Sequence, residues 1–411
     1  MAGWGWLWYC VGMEQLDGLF TRETLLERGR RLAGALGVRH GGFDTALIAG
    51  RITQYWLTGT MQDALAVLLP DGCVHLFVRK SYDRARLESP LDTVHPITGY
   101  RDLAGLVPAS LGRTCIETEI MPLAMLERIK KYHTITEILP MDRDIAAVRA
   151  VKEPGELALI RESARRHNTL LTDIVPGLMH EGISEADLAA ETYAAMVKLG
   201  HQGVSRFSMF QLELVAGQIG FGENSLYPTN FDGPGGMRGI HPGAPVLGSR
   251  ERTLAKGDLV FVDVGFGYNG YHSDKTQVYS FGSPCDSLAA QTHRACREVM
   301  KKASGLLAPG VSAASVYNEA LAGLSPLLSK HFMGYGTGAV KFLGHGLGLQ
   351  IDEQPVITAA NETVLAPGMV IALEPKCGIE GMGMVGVEET WEITADGAVC
   401  LTGGDTDILT V

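Results

Sequence analysis

The hydrophobic pattern of the first third of the chain alternates one charged helical stretch with short apolar runs. Residues 23–36 (ETLLERGRRLAGAL) carry their apolar positions at helical spacing. Three runs are short and β-rich: DTALIAG (44–50), ITQYWLTG (52–59) and LAVLLPDGCVHLFVR (65–79). The Pro-Asp-Gly sequence at 70–72 is a hairpin turn signal. This part of the chain therefore predicts a small α/β domain.

After about residue 150 the pattern changes to longer helical segments separated by glycine-rich hairpins. Pro154 suits the first turn of a helix, and apolar residues follow it at helical spacing. We expect helices at about 154–175, 184–199, 286–307 and 313–328. The Gly/Pro-rich segment 217–250 is expected to be a long loop, and such loops in compact domains are usually functional or disordered.

The length of the chain, 411 residues, exceeds what one hydrophobic core usually supports, so two domains are expected. We place them at 14–150 and 151–411. Residues 1–13 are apolar, but they lack a basic region and are too few to span a membrane as a helix. We expect a poorly ordered tail there, with Met13 as an alternative start.

Charge and cysteine usage exclude some classes of partner. The formal net charge is −11, and the lysines and arginines are dispersed, so no basic stripe could bind a phosphate backbone. We therefore expect neither nucleic acid nor a membrane as a partner. The seven cysteines are odd in number and form no C-x-x-C pair, which favours reduced thiols and a cytoplasmic location.

Two aspartates interrupt the β-prone run FVDVGFGYNGYHSDKTQVY at 261–279. The simplest interpretation is a hairpin with Tyr268 and Asn269 at its tip, which places Asp263 directly opposite Asp274. Their Cβ atoms would be roughly 5 Å apart on one face. Like charges so close repel each other, and a bridging metal cation would resolve the repulsion.

A second pair of carboxylates shows the same arrangement in IALEPKCGIEGMGMVGVEETWEI (371–393). Glu374 and Glu388 face each other if the turn is centred near Gly381, although a bulge could shift this register. His345 lies between glycines, which let a bound group approach closely. Together these residues predict an oxygen-rich site with enough negative charge for two divalent ions.

Each of these features alone has an ordinary structural explanation. A facing aspartate pair is usually a solvated sheet edge, and a Gly-His-Gly sequence is usually a turn. Their joint occurrence within one domain, in the order Asp, Asp, His, Glu, Glu, is what favours a metal site.

At these residues the sequence resembles the pita-bread metallopeptidases, the family of methionine aminopeptidase, Xaa-Pro aminopeptidase and prolidase, with creatinase as a metal-free relative. The resemblance is carried by GDLVFVDVGFGYNGYHSDKTQ (257–277), GHGLGLQIDEQP (344–355), ALEP (372–375) and VGVEETWEIT (385–394). The first domain, with QYWLTG, resembles the N-terminal domain of the prolidase and creatinase branch. The implied fold is mixed α/β (α+β): a creatinase-like N-terminal domain, then a pita-bread domain with a curved antiparallel sheet flanked by helices.

The resemblance implies a metalloaminopeptidase or dipeptidase that hydrolyses the N-terminal amide bond of short peptides, with Xaa-Pro substrates foremost. The implied metal ligands are Asp263, Asp274, His345, Glu374 and Glu388, and the implied catalytic residues are Glu374 and His345. The cofactors would be two divalent ions, with Mn²⁺, Co²⁺ or Fe²⁺ favoured over Zn²⁺ by the oxygen-rich ligand set. A homodimer is also implied.

Three positions differ from the family pattern, and a fourth has an approximate counterpart in it. Asp352 stands seven residues after the ligand histidine, where a second histidine is usual, and Gly386 stands where prolidases often have arginine. Lys376 follows Glu374-Pro375, where glycine is common. His241 lies roughly where a further family histidine is found. We assign Asp352 and His241 to substrate binding.

Two other functions are compatible with the same residues. One is hydrolysis or elimination on a small non-peptide molecule at the same metals, because Asp352 and Gly386 fall where a peptide would be held. The other is a catalytically silent binding protein that uses the cleft for a partner.

Overall fold

The computed structural model describes residues 19–209, 212, 214–245, 247–404 and 407–411. The tail expected at 1–13 lies outside this range. The chain divides into two compact units, with the division between Arg149 and Ala150. Along the described part of the chain, no helix combines the length and the apolar character needed to cross a membrane.

The N-terminal unit is built on a six-stranded mixed sheet with the strand order β4-β3-β2-β1-β5-β6. The strands are β1 (Thr45–Ile48), β2 (Asp63–Leu68), β3 (Val74–Lys80), β4 (Val94–Pro96), β5 (Ser110–Ile116) and β6 (Thr134–Pro140). The helices are α1 (Arg22–His40), α2 (Arg51–Thr58), α3 (Tyr82–Glu88), α4 (Leu123–Lys130) and α5 (Asp142–Ala150). The predicted hairpin is present, because β2 pairs antiparallel with β3 across the Pro-Asp-Gly turn.

The segment ITQYWLTG, which we expected to be a β run, forms helix α2 instead. Gly59 ends the helix in the left-handed region at φ 76°, and its N–H bonds to the carbonyl of Tyr55. Trp56 and Leu57 are fully buried. Burial on one face of a short helix therefore overrides the β propensity of these aromatic and branched residues.

The C-terminal unit contains two larger sheets and a short hairpin. Its strands are β7 (Gly217–Phe221), β8 (Leu259–Tyr268), β9 (Tyr271–Ser280), β10 (Phe342–Gly346), β11 (Glu353–Thr358), β12 (Val370–Leu373), β13 (Lys376–Ile379), β14 (Gly383–Gly386), β15 (Glu389–Thr394), β16 (Gly397–Cys400) and β17 (Leu409–Thr410). The sheets have the orders β11-β10-β12-β15-β16, β17-β9-β8-β7 and β13-β14.

Helices cover these sheets and bury their apolar faces. They are α6 (Pro154–Thr169), α7 (Val175–Leu178), α8 (Glu185–Lys198), α9 (Ser287–Leu306) and α10 (Ala313–Leu321). The wide turn Leu170–Ile174 joins α6 to α7, so the expected helix at 154–175 is present. The helix expected at 313–328 ends at Leu321, because the chain turns at Gly323, whose φ is 73°.

The hairpin of the two aspartates is present, but its register differs from the predicted one. Strands β8 and β9 pair Asp263 with Thr276 and Gly265 with Asp274. The turn is at Asn269 and Gly270, which both have positive φ, rather than at Tyr268 and Asn269. The slip is two residues along the strand, so both aspartates stay on one face of the sheet as diagonal neighbours.

The register predicted for the two glutamates is correct. Lys376 pairs with Gly386 in the β13–β14 hairpin, and Leu373 pairs with Glu389 in β12–β15, which is the same register continued. The ladder is interrupted only between these pairs, where Glu374 and Glu388 lie. Both glutamates are therefore brought to one gap between two hairpin segments.

We expected the whole segment 217–250 to be a loop, but the structure shows that its first residues are a strand. Its first residues form β7, which pairs with β8 and places Gln218 beside Asp263. A Cβ atom at Gly217 would lie 2.1 Å from the carbonyl oxygen of Asp263. Gly217, which suggests a loop in the sequence, thus allows two strands to approach each other closely.

Gly386 and Gly381 provide a stability test of the β13–β14 hairpin. Both have positive φ, 135° and 75°, but only at Gly386 would a Cβ atom meet neighbours, at 2.5 Å from Lys376 Cα and 2.5 Å from the Pro375 carbonyl oxygen. We expect Gly381→Ala to lower the free energy of unfolding by about 1 kcal/mol, and Gly386→Ala by more than about 3 kcal/mol. Urea unfolding measures both, and equal losses would contradict the steric argument.

Candidate metal centre

The five predicted ligands lie on neighbouring elements of the C-terminal unit and are all buried. They are Asp263 on β8, Asp274 on β9, His345 on β10, Glu374 directly after β12 and Glu388 directly before β15. An isolated bridge between Thr276 and Glu388 joins the two larger sheets at this point, with the Thr276 N–H donating to the Glu388 carbonyl over 3.3 Å. The fold therefore gathers residues that are far apart in sequence.

Three of the five side chains form a compact donor set for a metal ion. Asp274, His345 and Glu388 each offer one ligand atom, and these atoms all lie within 4.8 Å of one another. Two carboxylates and an imidazole are donors that suit a divalent transition metal. The residues present therefore fit one divalent ion at this position.

His345 is oriented so that one ring nitrogen faces the carboxylates. Its Nδ1 lies 3.1 Å from the carbonyl oxygen of Gly346 and must carry the proton in order to donate to it. Its Nε2 lies 3.5 Å from Glu374 Oε1 and 3.9 Å from Glu388 Oε1. This tautomer leaves a lone pair on Nε2, as a metal ligand requires.

Lys376 lies inside the carboxylate cluster. Its Nζ is 2.9 Å from Asp263 Oδ2, 2.9 Å from Glu374 Oε2 and 2.8 Å from Glu388 Oε2. Its side chain is fully buried. Burial alone would lower the pKa of Lys376, but the three carboxylates raise it well above its usual value, so the lysine is an ammonium ion.

The carboxylates themselves are held close together and are nearly inaccessible to solvent. Burial raises the pKa of Asp274 well above its usual value, and the charge of Asp263 raises it further. Burial likewise raises the pKa of Glu388, with Asp274 as the next cause, and burial raises the pKa of Glu374. This cluster can stay ionised at neutral pH only with cations among its oxygens.

Two threonines fix the positions of the acidic residues. The Thr276 hydroxyl lies 2.9 Å from Asp263 Oδ1 and 3.0 Å from Glu388 Oε2, so it can donate to either carboxylate. The Thr390 hydroxyl donates to the Asp274 carbonyl over 2.8 Å and accepts the Asp274 N–H over 2.9 Å. Such contacts orient ligands around a metal.

The two residues assigned to substrate binding differ in their surroundings. Asp352 accepts hydrogen bonds from the N–H and the hydroxyl of Ser208, over 2.6 Å and 2.7 Å. Burial raises its pKa, while the hydrogen bonds from Ser208 act in the opposite direction. His241 lies on an exposed turn, where its Nδ1 accepts the Gly243 N–H. Asp352 lies near the predicted ligand His345, and both assignments stay predictions.

The chain matches two family descriptions. Residues 35–151 match the Creatinase/Prolidase N-terminal domain, and residues 158–395 match Metallopeptidase family M24. The second match covers more than half of the chain. The chain belongs to metallopeptidase family M24. Membership makes this M24 protein a metal-dependent hydrolase.

The chain is also similar to individual proteins that are named as dipeptidases or prolidases. The probable dipeptidase PepE of Mycobacterium tuberculosis is 30% identical over 315 residues, which are 75% of this chain and 74% of that protein. The Xaa-Pro dipeptidase of Pyrococcus furiosus is 26% identical over 369 residues, 89% of this chain and 95% of that protein. The solved prolidase from Pyrococcus furiosus has a TM-score of 0.71 and 25% identity, and the match covers 90% of this chain and 99% of that one.

These comparisons confirm the predicted family resemblance and fold class. The chain has a creatinase-like N-terminal α/β domain followed by a C-terminal pita-bread domain. The assignment of the five residues as metal ligands stays a prediction, which the geometry of Asp274, His345 and Glu388 supports.

Sequence reasoning missed the roles of two residues. Lys376 was noted only as a departure from the family pattern, and Ser208 was not singled out. The sequence does carry a signal for Lys376, since a lysine two residues after a predicted ligand glutamate in a buried strand needs acidic partners. Ser208 gives no comparable signal, because its contact with Asp352 spans 144 residues.

His272, two residues before Asp274, is a fully buried neutral histidine beside the site. Its Nδ1 is 3.1 Å from the Gly348 carbonyl oxygen, and its Nε2 is 3.0 Å from Gln202 Nε2 and 3.3 Å from the Arg206 nitrogen. Nδ1 therefore donates and Nε2 accepts. Burial lowers the pKa of His272 to about 4.

This lowered pKa predicts acid sensitivity. In the unfolded chain His272 takes up a proton with a pKa of about 6.5, whereas in the native state it does so only near pH 4. The neutral buried histidine therefore leaves stability intact above pH 6.5, and the free energy of unfolding decreases as the pH falls below that value. Between pH 6.5 and 5, the free energy of unfolding of the wild type should fall by about 1.5 kcal/mol more than that of His272→Gln. Urea unfolding at both pH values measures the difference, and parallel losses would refute it.

Proposed function

We propose that this protein is a metal-dependent dipeptidase that hydrolyses short peptides, with Xaa-Pro dipeptides as the first substrates to test. The convergence of Asp274, His345 and Glu388 carries the proposal, because these buried donors can hold a divalent ion. The names of the relatives supply the substrate class, since they include an Xaa-Pro dipeptidase and a probable dipeptidase.

Asp274, His345 and Glu388 would hold the ion. A bound divalent ion would supply an electrophile for the scissile carbonyl and would acidify a water molecule. His345 presents Nε2 to this position because its Nδ1 proton is engaged by Gly346. The burial of these residues keeps bulk water away from the reacting atoms and strengthens the electrostatic interactions there.

Glu374 is the proton carrier in this proposal. Its Oε2 accepts from Lys376, and its Oε1 faces His345 Nε2 at 3.5 Å, so one oxygen is directed toward the ion position. Burial raises its pKa, which suits a group that must accept a proton from water and then deliver it to the leaving amine.

Further expectations from the sequence stay predictions. They are a preference for Mn²⁺, Co²⁺ or Fe²⁺, a homodimer, a cytoplasmic location and a second metal ion in the site. The donor chemistry supports a transition metal, because an imidazole accompanies the carboxylates. The position of Lys376 argues against the second ion.

The proposed activity predicts turnover that depends on Glu374. Protein supplied with Mn²⁺ or Co²⁺ should release free amino acid from at least some members of a panel of Xaa-Pro dipeptides, other dipeptides and Met-initiated tripeptides. Glu374→Gln should lower kcat by at least about 100-fold, because the amide cannot carry the proton. Glu380→Gln, at an exposed position on the β13–β14 turn, is the matched control and should leave kcat unchanged.

The outcome that would overturn the proposed activity is clear. If the folded wild-type protein contains metal and cleaves no peptide in the panel, the dipeptidase activity is refuted. The small non-peptide reaction would then become the leading function, with Asp352 as the first residue to explain.

Asp352 would bind the cationic end of the substrate. Its carboxylate lies near His345, and Ser208 holds it in place with two hydrogen bonds. A dipeptide carries an α-ammonium group close to the amide bond that is cut. A carboxylate beside the ion position is therefore suited to fix the N-terminus of a dipeptide.

This role predicts that Asp352→Asn weakens dipeptide binding more than it slows the chemical step. KM should rise about tenfold, with kcat within about threefold of the wild type, because the substituted amide loses the charge but keeps the shape. Ser208→Ala keeps the charge and is the matched control, with a smaller expected change in KM. A fall in kcat at unchanged KM would instead place Asp352 in the chemical step.

A further inference from the structure

The carboxylate oxygens of the site point toward two separate cation positions. Glu374 directs Oε2 to Lys376 Nζ, at 2.9 Å, and Oε1 to His345 Nε2, at 3.5 Å. Glu388 divides its oxygens in the same way, with Oε2 at 2.8 Å from Lys376 Nζ and Oε1 at 3.9 Å from His345 Nε2. Each glutamate therefore serves both positions with different oxygens.

The two aspartates each belong to one of these positions. Asp263 contacts Lys376 Nζ through Oδ2 and the Thr276 hydroxyl through Oδ1. Asp274 groups with His345 and Glu388 in the set whose ligand atoms lie within 4.8 Å of one another. We define the lysine position by Asp263, Glu374 and Glu388, and the ion position by Asp274, His345 and the facing oxygens of the glutamates.

The lysine position is saturated. An ammonium group has three N–H donors, and Lys376 has one carboxylate oxygen at 2.8–2.9 Å for each of them. These distances are those of charge-assisted hydrogen bonds. A metal ion bound by the same three oxygens would have to occupy the volume that Nζ fills, so the lysine and a second ion exclude each other.

The backbone around Lys376 is shaped to admit this side chain. Gly386 is its partner across the β13–β14 hairpin, and a Cβ atom at Gly386 would lie 3.0 Å from Lys376 Cγ as well as 2.5 Å from its Cα. The centroid of the Phe261 ring lies 5.8 Å from Nζ. Lys376 is fully buried, so its ammonium group is enclosed by the fold rather than placed there from solvent.

We propose that Lys376 takes the place of one metal ion, so that this M24 protein binds a single divalent ion at Asp274, His345 and Glu388. The inference rests on the proposed function only in treating the same site as the catalytic one. Lys376 is a fixed monovalent cation there: it neutralises part of the carboxylate charge and holds Asp263, Glu374 and Glu388 in place.

The count of bound metal tests this inference. Wild-type protein, saturated with Mn²⁺ and freed of loose ions by gel filtration, should retain about one ion per chain by elemental analysis. Lys376→Ala should retain about two, because its removal frees three carboxylate oxygens for a second ion. Two ions in the wild type, none in folded wild type, or only one in Lys376→Ala would overturn the proposal.

Lys275→Ala is the matched control for this experiment. Lys275 is equally buried, but its partner is Glu389 rather than a member of the ligand set. The loss of a buried lysine as such should leave the metal count at the wild-type value. A second ion in Lys275→Ala would show that general loosening admits metal, and it would overturn the specific role of Lys376.

A second pair of variants decides the question if Lys376→Ala does not fold. Asp263 belongs to the lysine position and Asp274 to the ion position, so Asp263→Ala should keep the single ion and Asp274→Ala should lose it. Loss of the ion from both variants would mean that Asp263 is a metal ligand, and the proposal would fail.

Metal counting does not depend on turnover. A chain that binds one ion, gains a second in Lys376→Ala and cleaves no peptide would refute the dipeptidase activity while confirming the role of Lys376. A chain that cleaves dipeptides with two ions bound would do the reverse.

Discussion

The C-terminal unit depends on one electrostatic constraint, which is that four carboxylates are buried together. Asp263, Asp274, Glu374 and Glu388 are all nearly inaccessible to solvent. Burial raises the pKa values of Asp274, Glu374 and Glu388, so these three would take up protons without nearby cations. The fold meets this constraint within the chain, through the ammonium group of Lys376. The rest of the charge has to be balanced by a bound ion or by protons.

The strand geometry follows from the same requirement. The two glutamates lie where regular pairing stops: Glu374 and Glu388 occupy the gap between two hairpin segments of one register, and the bridge from Thr276 to Glu388 joins the sheets. Glycines allow this close approach, since a Cβ atom at Gly344 would lie 2.1 Å from the Ala372 carbonyl oxygen. His345, which follows Gly344, is thus held at a close approach of two strand backbones.

Much of this arrangement could be predicted from the sequence, and the exceptions have physical reasons. The Glu374 and Glu388 register is correct because Gly381 marks the turn, whereas the Asp263 and Asp274 register slipped because Tyr-Asn-Gly offers two adjacent turn positions. The slip preserved the face and therefore the site. ITQYWLTG was misassigned because propensity gives little weight to burial on one helical face. The role of Lys376 depends on three contacts that only the folded chain brings together.

A lysine in a metal site differs from an ion in one respect that bears on folding. An ion is bound in proportion to its concentration, and its contribution to stability disappears when it is removed. Lys376 is part of the chain, so its contacts with Asp263, Glu374 and Glu388 form whenever the chain folds. Removal of the metal would therefore leave the lysine position intact. Only the carboxylates of the ion position would then carry buried negative charge with no cation beside it. Gly386 belongs to the same arrangement, because a side chain at this strand partner would collide with the backbone of Pro375 and Lys376 and would crowd the Lys376 side chain.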